Sequence, residues 1–290
     1  MYKVLIVGTG AIAKFIGAKL QNCAITFLGN HIGSSYSYTS EGETFLIDDY
    51  KVLASLPKKS EEEYFDLIIW VTSTVFNLAV LQKNQHWFKN YTGLVFNFQN
   101  GMGYEDDLIS FFPKTTIHFG ITNQAVLKNE TGILNTGSGS FYLPFDESIS
   151  PTCLQVIKQV DIRQVKDILA LRYQKLSINA VVNPITAYFK INNGAIFNNK
   201  IAAEFVVKII EETYDSWKSK GIYSSKENYL IAIQQICKAT ARNKSSMLQA
   251  VQNGIPLELE SVLGFVIKTT KSPTLQFLFD ELTKSSSKTD

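Results

Sequence analysis

Residues 2–13 read YKVLIVGTGAIA: an apolar, β-branched run, a glycine-rich turn, and the start of a stretch with helical spacing. A strand followed at once by Gly8-Thr9-Gly10-Ala11-Ile12-Ala13 is the setting in which a G-x-G-x-x-G/A turn binds a dinucleotide. Gly8 permits the tight turn, Gly10 lets the backbone approach a pyrophosphate, and Ala13 allows close helix packing, with the helix N-terminus facing the anion. Alone the motif is a weak signal, because small residues at such a turn can serve packing only. The chain that follows strengthens it. AITFLG (24–29), DLIIWVTS (66–73), GLVFNFQ (93–99) and TTIHFGI (115–121) alternate with helical patterns at 11–21 and 76–90. Fully apolar strands separated by helices imply a parallel sheet covered on both faces, and right-handed crossovers make it doubly wound. The Gly/Ser-rich GILNTGSGSFYLPF (132–145) reads as a hairpin closing that sheet.

After Arg163 the pattern changes to long helical stretches at 167–190, 199–219, 225–250 and 258–284, with no convincing strand. Gly221 and Asn253-Gly254 supply helix stops, and Pro256 and Pro273 supply starts. The expected fold class is α/β: an N-terminal Rossmann-like doubly wound sheet with a C-terminal all-α domain. Residues 1–165 form the dinucleotide-binding domain and 166–290 the helical substrate and catalytic domain. The polar tail TKSSSKTD reads as frayed.

Composition excludes several classes. With 45% hydrophobic residues the 290-residue chain can bury real cores, and 28 basic against 26 acidic residues leave a formal charge of +2. That balance carries no footprint of a nucleic-acid or membrane binder. Apolar runs such as LIIWV (67–71) fall far short of the roughly 20 residues that span a bilayer. Cys23, Cys153 and Cys237 are far apart, lack metal-ligand spacing and accompany only three His, so no structural metal and a reducing cytoplasm are expected. Met1 leads straight into a strand-like run with no signal-peptide pattern, which gives the same cytoplasmic expectation. The partner is a small molecule, and the sequence is compatible with a homodimer.

Within LRYQKLSINAVVNPITAYF (171–189), Lys175, Asn179 and Asn183 recur every four residues. At about 3.6 residues per turn that step advances about 40°, so an ammonium and two carboxamides line one stripe of an otherwise apolar helix. Burying them without partners would cost roughly 1–3 kcal/mol each. Hydrogen bonds to a neighbouring segment would satisfy a lone Asn, but three groups in register with a lysine suit a carboxylate or polarised carbonyl. A desolvated lysine can serve as an acid, because burial lowers its pKa. Pro184 is expected to end or kink the helix.

The second strand ends at Leu28-Gly29-Asn30-His31, without the Asp or Glu of an NAD site or the Arg of an NADP site. His31, Ser34 and Ser35 suit a 2′-phosphate or an ordinary polar loop equally. With no acid to repel the phosphate, NADPH is favoured and NAD remains open. Asn100-Gly101-Met102-Gly103 follows a strand directly, at the carboxyl end of the sheet where open α/β folds bind ligands, so Asn100 is a candidate contact.

Nearly end to end, the chain resembles the ketopantoate reductase (2-dehydropantoate 2-reductase) family. The likeness rests on VGTGAIA (7–13), QNGMG (99–103), KLSINAVVNPITA (175–187), Asn193-Gly194, SSMLQ (245–249) and LELESVLGF (257–265). The resemblance implies NADPH-dependent reduction of ketopantoate to pantoate, a step towards coenzyme A. It implies that Lys175 is the catalytic acid, with Glu258 close to the lysine and the cofactor ribose. Asn179, Asn183, Asn193 and Ser246 would form the substrate shell, and Asn100 would sit between cofactor and substrate in a cleft between domains. Two positions depart from the family's pattern. Asn30 stands where an Arg is common and Thr74 where the pattern V-T-x-K has Lys, and both changes remove positive charge near the phosphates. The stretch after Thr269 is also shorter than usual. Reduction of another branched 2-oxo acid, or non-catalytic dinucleotide sensing, are the alternative readings.

Overall fold

The structure is a computed structural model that describes residues 1–30, 32–57 and 64–286. The chain divides into two compact units. The first comprises Met1–Gln99 and Tyr104–Ile168; the second takes the loop Asn100–Gly103 together with everything from Leu169 onward.

The first unit is built on β1 (Tyr2–Val7), β2 (Cys23–Leu28), β3 (Tyr36–Ser40), β4 (Glu43–Ile47), β5 (Lys51–Leu53), β6 (Leu67–Trp70), β7 (Leu94–Asn97) and β8 (Ile117–Phe119). The short strands β9 (Ile121–Thr122), β10 (Val126–Lys128), β11 (Gly132–Asn135), β12 (Phe141–Pro144) and β13 (Ile162–Val165) complete it. Six strands form one sheet in the order β5-β2-β1-β6-β7-β8, with every pairing parallel. Successive side chains of a strand face opposite ways, and both faces here are apolar. Val4 and Ile6 of β1 therefore enter one core with Ala13, Phe15 and Ile16 of α1 (Ala11–Lys19). Leu5 and Val7 enter another with Leu81 of α2 (Asn77–Lys83), Trp87 and Phe88 of α3 (Gln85–Phe88) and Leu108 of α4 (Glu105–Phe111). Helix α5 (Pro151–Lys158), capped by Ser150, adds Cys153 and Val156 to the first core. Helices on both faces of a parallel sheet are the doubly wound arrangement that the apolar strands imply. Each such large side chain contributes roughly 1.5–3 kcal/mol on burial.

The hairpin expected over 132–145 does not form. β11 pairs with β10 and β3 in a four-stranded sheet, whereas β12 pairs with β9 and β13 in a separate three-stranded one. Turn chemistry upstream decides the partner of β11. The Asn129 carboxamide accepts from Gly132 N at 2.6 Å and Thr131 N at 3.2 Å, closing a turn that folds β11 back on β10.

The second unit contains α6 (Ile168–Phe189), α7 (Lys200–Ser219), α8 (Lys226–Ala239), α9 (Ser246–Gln252), α10 (Phe265–Thr270) and α11 (Pro273–Ser286). Its core joins Leu176, Val181, Val182 and Ile185 of α6 to Val206, Ile209, Ile210 and Trp217 of α7, with Leu263, Val266 and Leu278 from the later elements. Three sequence expectations change here. Of the end or kink expected at Pro184 the end does not occur: α6 runs on to Phe189, and the Thr186 hydroxyl donates to the carbonyl oxygens of Val182 at 2.8 Å and Asn183 at 3.0 Å around the proline. The stretch 225–250 is two helices. Asn193 N and Gly194 N donate to Asn243 O and Ala241 O, both at 3.1 Å, and so tie up carbonyls in the segment between α8 and α9. Ser245 then caps α9 through Leu248 N at 3.0 Å. The stretch 258–284 breaks at Lys271, whose φ of 56° is left-handed. Across that break the Glu212 carboxylate accepts from Thr274 N at 3.0 Å, from the Thr274 hydroxyl at 2.6 Å and from the Ser272 hydroxyl.

Among the described residues no helix is long and apolar enough to cross a membrane, and no group of three His, Cys, Asp or Glu side chains could hold a metal. All three cysteines are buried free thiols.

Candidate active site

In the first unit, Gly8 N donates to Leu28 O at 2.9 Å, which ties the end of β1 to the end of β2. Gly8 has φ +123°, and a Cβ there would lie 2.9 Å from Thr72 N in the turn after β6. Only glycine fits. Gly10 differs: its φ is −77° and a Cβ would meet nothing within 4 Å, so packing does not explain it. Gly10 is the N-cap of α1, with no side-chain cap bond and no acid in the first turn. Open space in front of uncapped N–H groups at the positive end of a nine-residue helix fits an anionic pyrophosphate. Ala13 is fully buried, Thr9, Ala11 and Ile12 are half-buried, and the Thr9 side chain lies beside Gly29.

Asn30 is exposed at the end of β2, and Thr74 is half-buried at the start of a 3₁₀ turn, Thr74–Phe76. Both are neutral. Ser34 is exposed and Ser35 half-buried, while His31 lies outside the described residues. Asn77, Asn97 and Gln99 were passed over in the sequence, where they sit inside or beside apolar runs. They interlock beneath this edge of the sheet, and the only advance signal is the pair of carboxamides in GLVFNFQ.

In the second unit, Lys175, Asn179 and Asn183 share one stripe of α6, as their spacing requires. Lys175 Nζ donates to Asn100 Oδ1 at 2.8 Å. The loop carrying Asn100 is fixed by its own backbone. Gly101 has φ +81° and lies where any Cβ would collide with the Ser261 carbonyl, and Met102 N donates to Ser261 O at 2.8 Å. Ser261 belongs to a π-helical turn, Glu260–Gly264, that begins two residues after Glu258. Such turns redirect a helix locally and are frequent at functional sites. Burial lowers the Lys175 pKa from its usual value to about 8, and the Glu258 carboxylate opposes that shift.

Asn183 is buried, and its Nδ2 reaches Ser246 Oγ at 3.5 Å, a long contact. Ser246 is exposed at the first position of α9, beside the capping Ser245. Asn179 is half-buried between the other two stripe residues. Asn193 is buried, donates to Thr240 Oγ1 at 2.9 Å and leaves its Oδ1 without a partner among the described residues. The structure thus joins Lys175 to Asn100 and Asn183 to Ser246 by direct contact, and Glu258 to Lys175 through charge. Asn193 contacts Thr240 rather than another residue of the set. A lysine whose pKa burial lowers, on the same helix stripe as two carboxamides, suits protonation of a carbonyl oxygen beside a carboxylate.

Comparison with known proteins identifies the family. The family described as Ketopantoate reductase PanE/ApbA matches residues 4–146, and its C-terminal counterpart matches residues 167–284. A 2-dehydropantoate 2-reductase from Pyrococcus abyssi is 25% identical over 285 residues, covering 94% of this chain and 93% of that protein. One from Bacillus subtilis is 27% identical over 208 residues, covering 67% of this chain and 68% of that protein. The fold also matches a ternary structure of D-mandelate dehydrogenase with NADH and anilino(oxo)acetate. That match has a TM-score of 0.84 at 19% identity and covers 98% of each chain.

Proposed function

The chain belongs to the ketopantoate reductase family, and we propose that it reduces ketopantoate to pantoate with NADPH, using Lys175 as the proton donor. The single observation that carries this reading is the Lys175–Asn100 pair. The ammonium of the half-buried Lys175, held at 2.8 Å by a carboxamide and with its pKa brought down to about 8 by desolvation, is a ready acid near neutral pH.

The residues of the first unit suit the dinucleotide: the open space at Gly10 and the uncapped start of α1 take the pyrophosphate, with Gly8, Thr9, Ala11, Ile12 and Ala13 shaping the turn. These residues would hold NADPH, whose chemistry when bound would be to supply a hydride for the substrate's carbonyl carbon. Lys175 passes a proton to the carbonyl oxygen, so that the ketone becomes a hydroxyl and the lysine is left neutral. Asn100 orients the ammonium by accepting one of its N–H bonds. Asn179, Asn183 and Ser246 offer donors to the substrate's carboxylate and hydroxyl, with Asn193 contributing its unpartnered oxygen. Glu258 favours the protonated lysine. Residues 1–165 serve the dinucleotide and 166–290 the substrate, except that Asn100–Gly103 groups with the helical unit. The neutral Asn30 and Thr74 make discrimination between NADPH and NADH weak. Three buried thiols suit a reducing cytoplasm, and a homodimer is the assembly we expect.

The test is purified protein with NADPH or NADH against ketopantoate, pyruvate and 2-oxoisovalerate. Ketopantoate should support the fastest oxidation, because side chains at 179, 183, 193 and 246 can bind more than a carboxylate. Equal rates across the panel would overturn the substrate assignment, and no oxidation with any 2-oxo acid would overturn the reductase reading.

A further inference from the structure

Beneath the carboxyl edge of the parallel sheet lies a knot of buried side chains to which no role attaches. Asn77, Asn97, Gln99, Trp70 and Tyr104 are all buried there. Gln99 Nε2 donates to Asn77 Oδ1 at 2.7 Å and to the Thr72 carbonyl at 2.7 Å. Its Oε1 accepts from Asn77 Nδ2 at 3.1 Å and Asn97 Nδ2 at 2.8 Å. A glutamine carboxamide has two N–H bonds and two lone pairs, and all four are used. Its neighbours are bonded further. Asn77 Oδ1 also accepts from Trp70 Nε1 at 2.9 Å, and Asn97 Oδ1 accepts from Gln99 N at 3.1 Å and the Tyr104 hydroxyl at 2.9 Å.

A network centred on a fully satisfied carboxamide in a low-dielectric interior is stiff, and removing that carboxamide strands the others. What it holds is the turn after β6. The Thr72 carbonyl is clamped by Gln99, and the Thr72 amide is the backbone group against which Gly8 fits. We propose that Gln99 is a positioning residue for dinucleotide binding: its carboxamide fixes the Thr72 turn, and through it the wall of the Gly8–Ala13 loop. This rests on the reading that the first unit binds NADPH. Neither glutamate, which lacks both donors, nor methionine, which lacks every polar group, can replace it.

Fluorescence titration of NADPH into the parental chain, Gln99→Met, Gln99→Glu and Asn77→Asp tests the inference, with kcat at saturating NADPH and thermal melts alongside. Both Gln99 variants should bind NADPH roughly tenfold more weakly or worse. Their kcat at saturation should stay within about threefold, because Lys175 is untouched and the loop carrying Asn100, although it follows Gln99 directly, is held from Ser261 through Met102 N. Asn77→Asp keeps the acceptor for Trp70 and Gln99 and loses one donor, so its shift should be smaller but measurable. A Gln99 variant that melts earlier yet binds NADPH like the parent would show the network to be structural only and overturn the proposal. If neither Gln99 variant folds, unchanged affinity in Asn77→Asp overturns it equally. Failure of the parental chain to bind NADPH would instead remove the dinucleotide reading, and this inference with it.

Discussion

The turn at Gly8–Ala13 and the stripe on α6, the two proposed halves of the site, are built in opposite ways. The first works through backbone. A Cβ on Gly8 would press on Thr72, a Cβ on Gly10 would meet nothing within 4 Å, and the first turn of α1 carries no acid. The second works through side chains presented by a continuous helix, with Lys175 and Asn183 partnered by Asn100 and Ser246. A backbone site should be hurt by an added methyl group and indifferent to charge elsewhere. A side-chain site should fail when one functional group is removed while the fold persists.

Lys175→Ala sharpens the contrast most. If Lys175 is the proton donor proposed, its loss should lower kcat by roughly 10²- to 10⁴-fold, about 3–5 kcal/mol of transition-state stabilisation, with NADPH affinity unchanged because the proposed dinucleotide site lies in the first unit. Steady-state rates and an NADPH titration on the same sample check both halves. Next in size is Asn30→Arg, which adds a cation where the second strand ends. If residue 30 faces the 2′-phosphate, NADPH should tighten by roughly 1.5–3 kcal/mol relative to NADH, and equal titration shifts for the two cofactors would place it elsewhere.

Gly10→Ala isolates the backbone site. With φ −77° and nothing within 4 Å of the new methyl, thermal stability should stay close to the parent's. NADPH binding should weaken about tenfold, about 1.4 kcal/mol, since the methyl takes the pyrophosphate's space. A variant with parental affinity would break the comparison. The smallest effect expected is in the scaffold of the helical unit. Glu212→Ala removes the carboxylate that accepts from Ser272 and Thr274 ahead of α11, and a melt should show a loss of about 1 kcal/mol with kcat preserved.

Local patterns were legible in the sequence, and long-range pairings were not. Apolar strands after Met1 and the four-residue spacing of Lys175, Asn179 and Asn183 are periodicities within single elements, so the doubly wound sheet and the polar stripe could be read directly. The hairpin over 132–145 could not be judged that way, because the Asn129 turn offered β11 a better partner upstream. The break between α8 and α9 depends on backbone bonds from Asn193 and Gly194, some fifty residues away in sequence. The support of Asn100 likewise depends on Ser261, in a π-helical turn that helical periodicity does not foresee. At Pro184 the expected end is absent, and α6 runs on to Phe189 with Val182 and Ile185 packed in the core of the helical unit.

The central claim is that Lys175 gives up the proton, and the pH dependence of single-turnover hydride transfer at saturating NADPH and ketopantoate tests it most directly. Burial lowers the Lys175 pKa to about 8, and only the protonated form can donate. The rate should therefore be flat at and below about pH 7 and fall towards tenfold per pH unit above 8, with that limb absent from the slow residual rate of Lys175→Ala. A parental rate that stays level to pH 10, or a Lys175→Ala rate close to the parent's, would contradict the account.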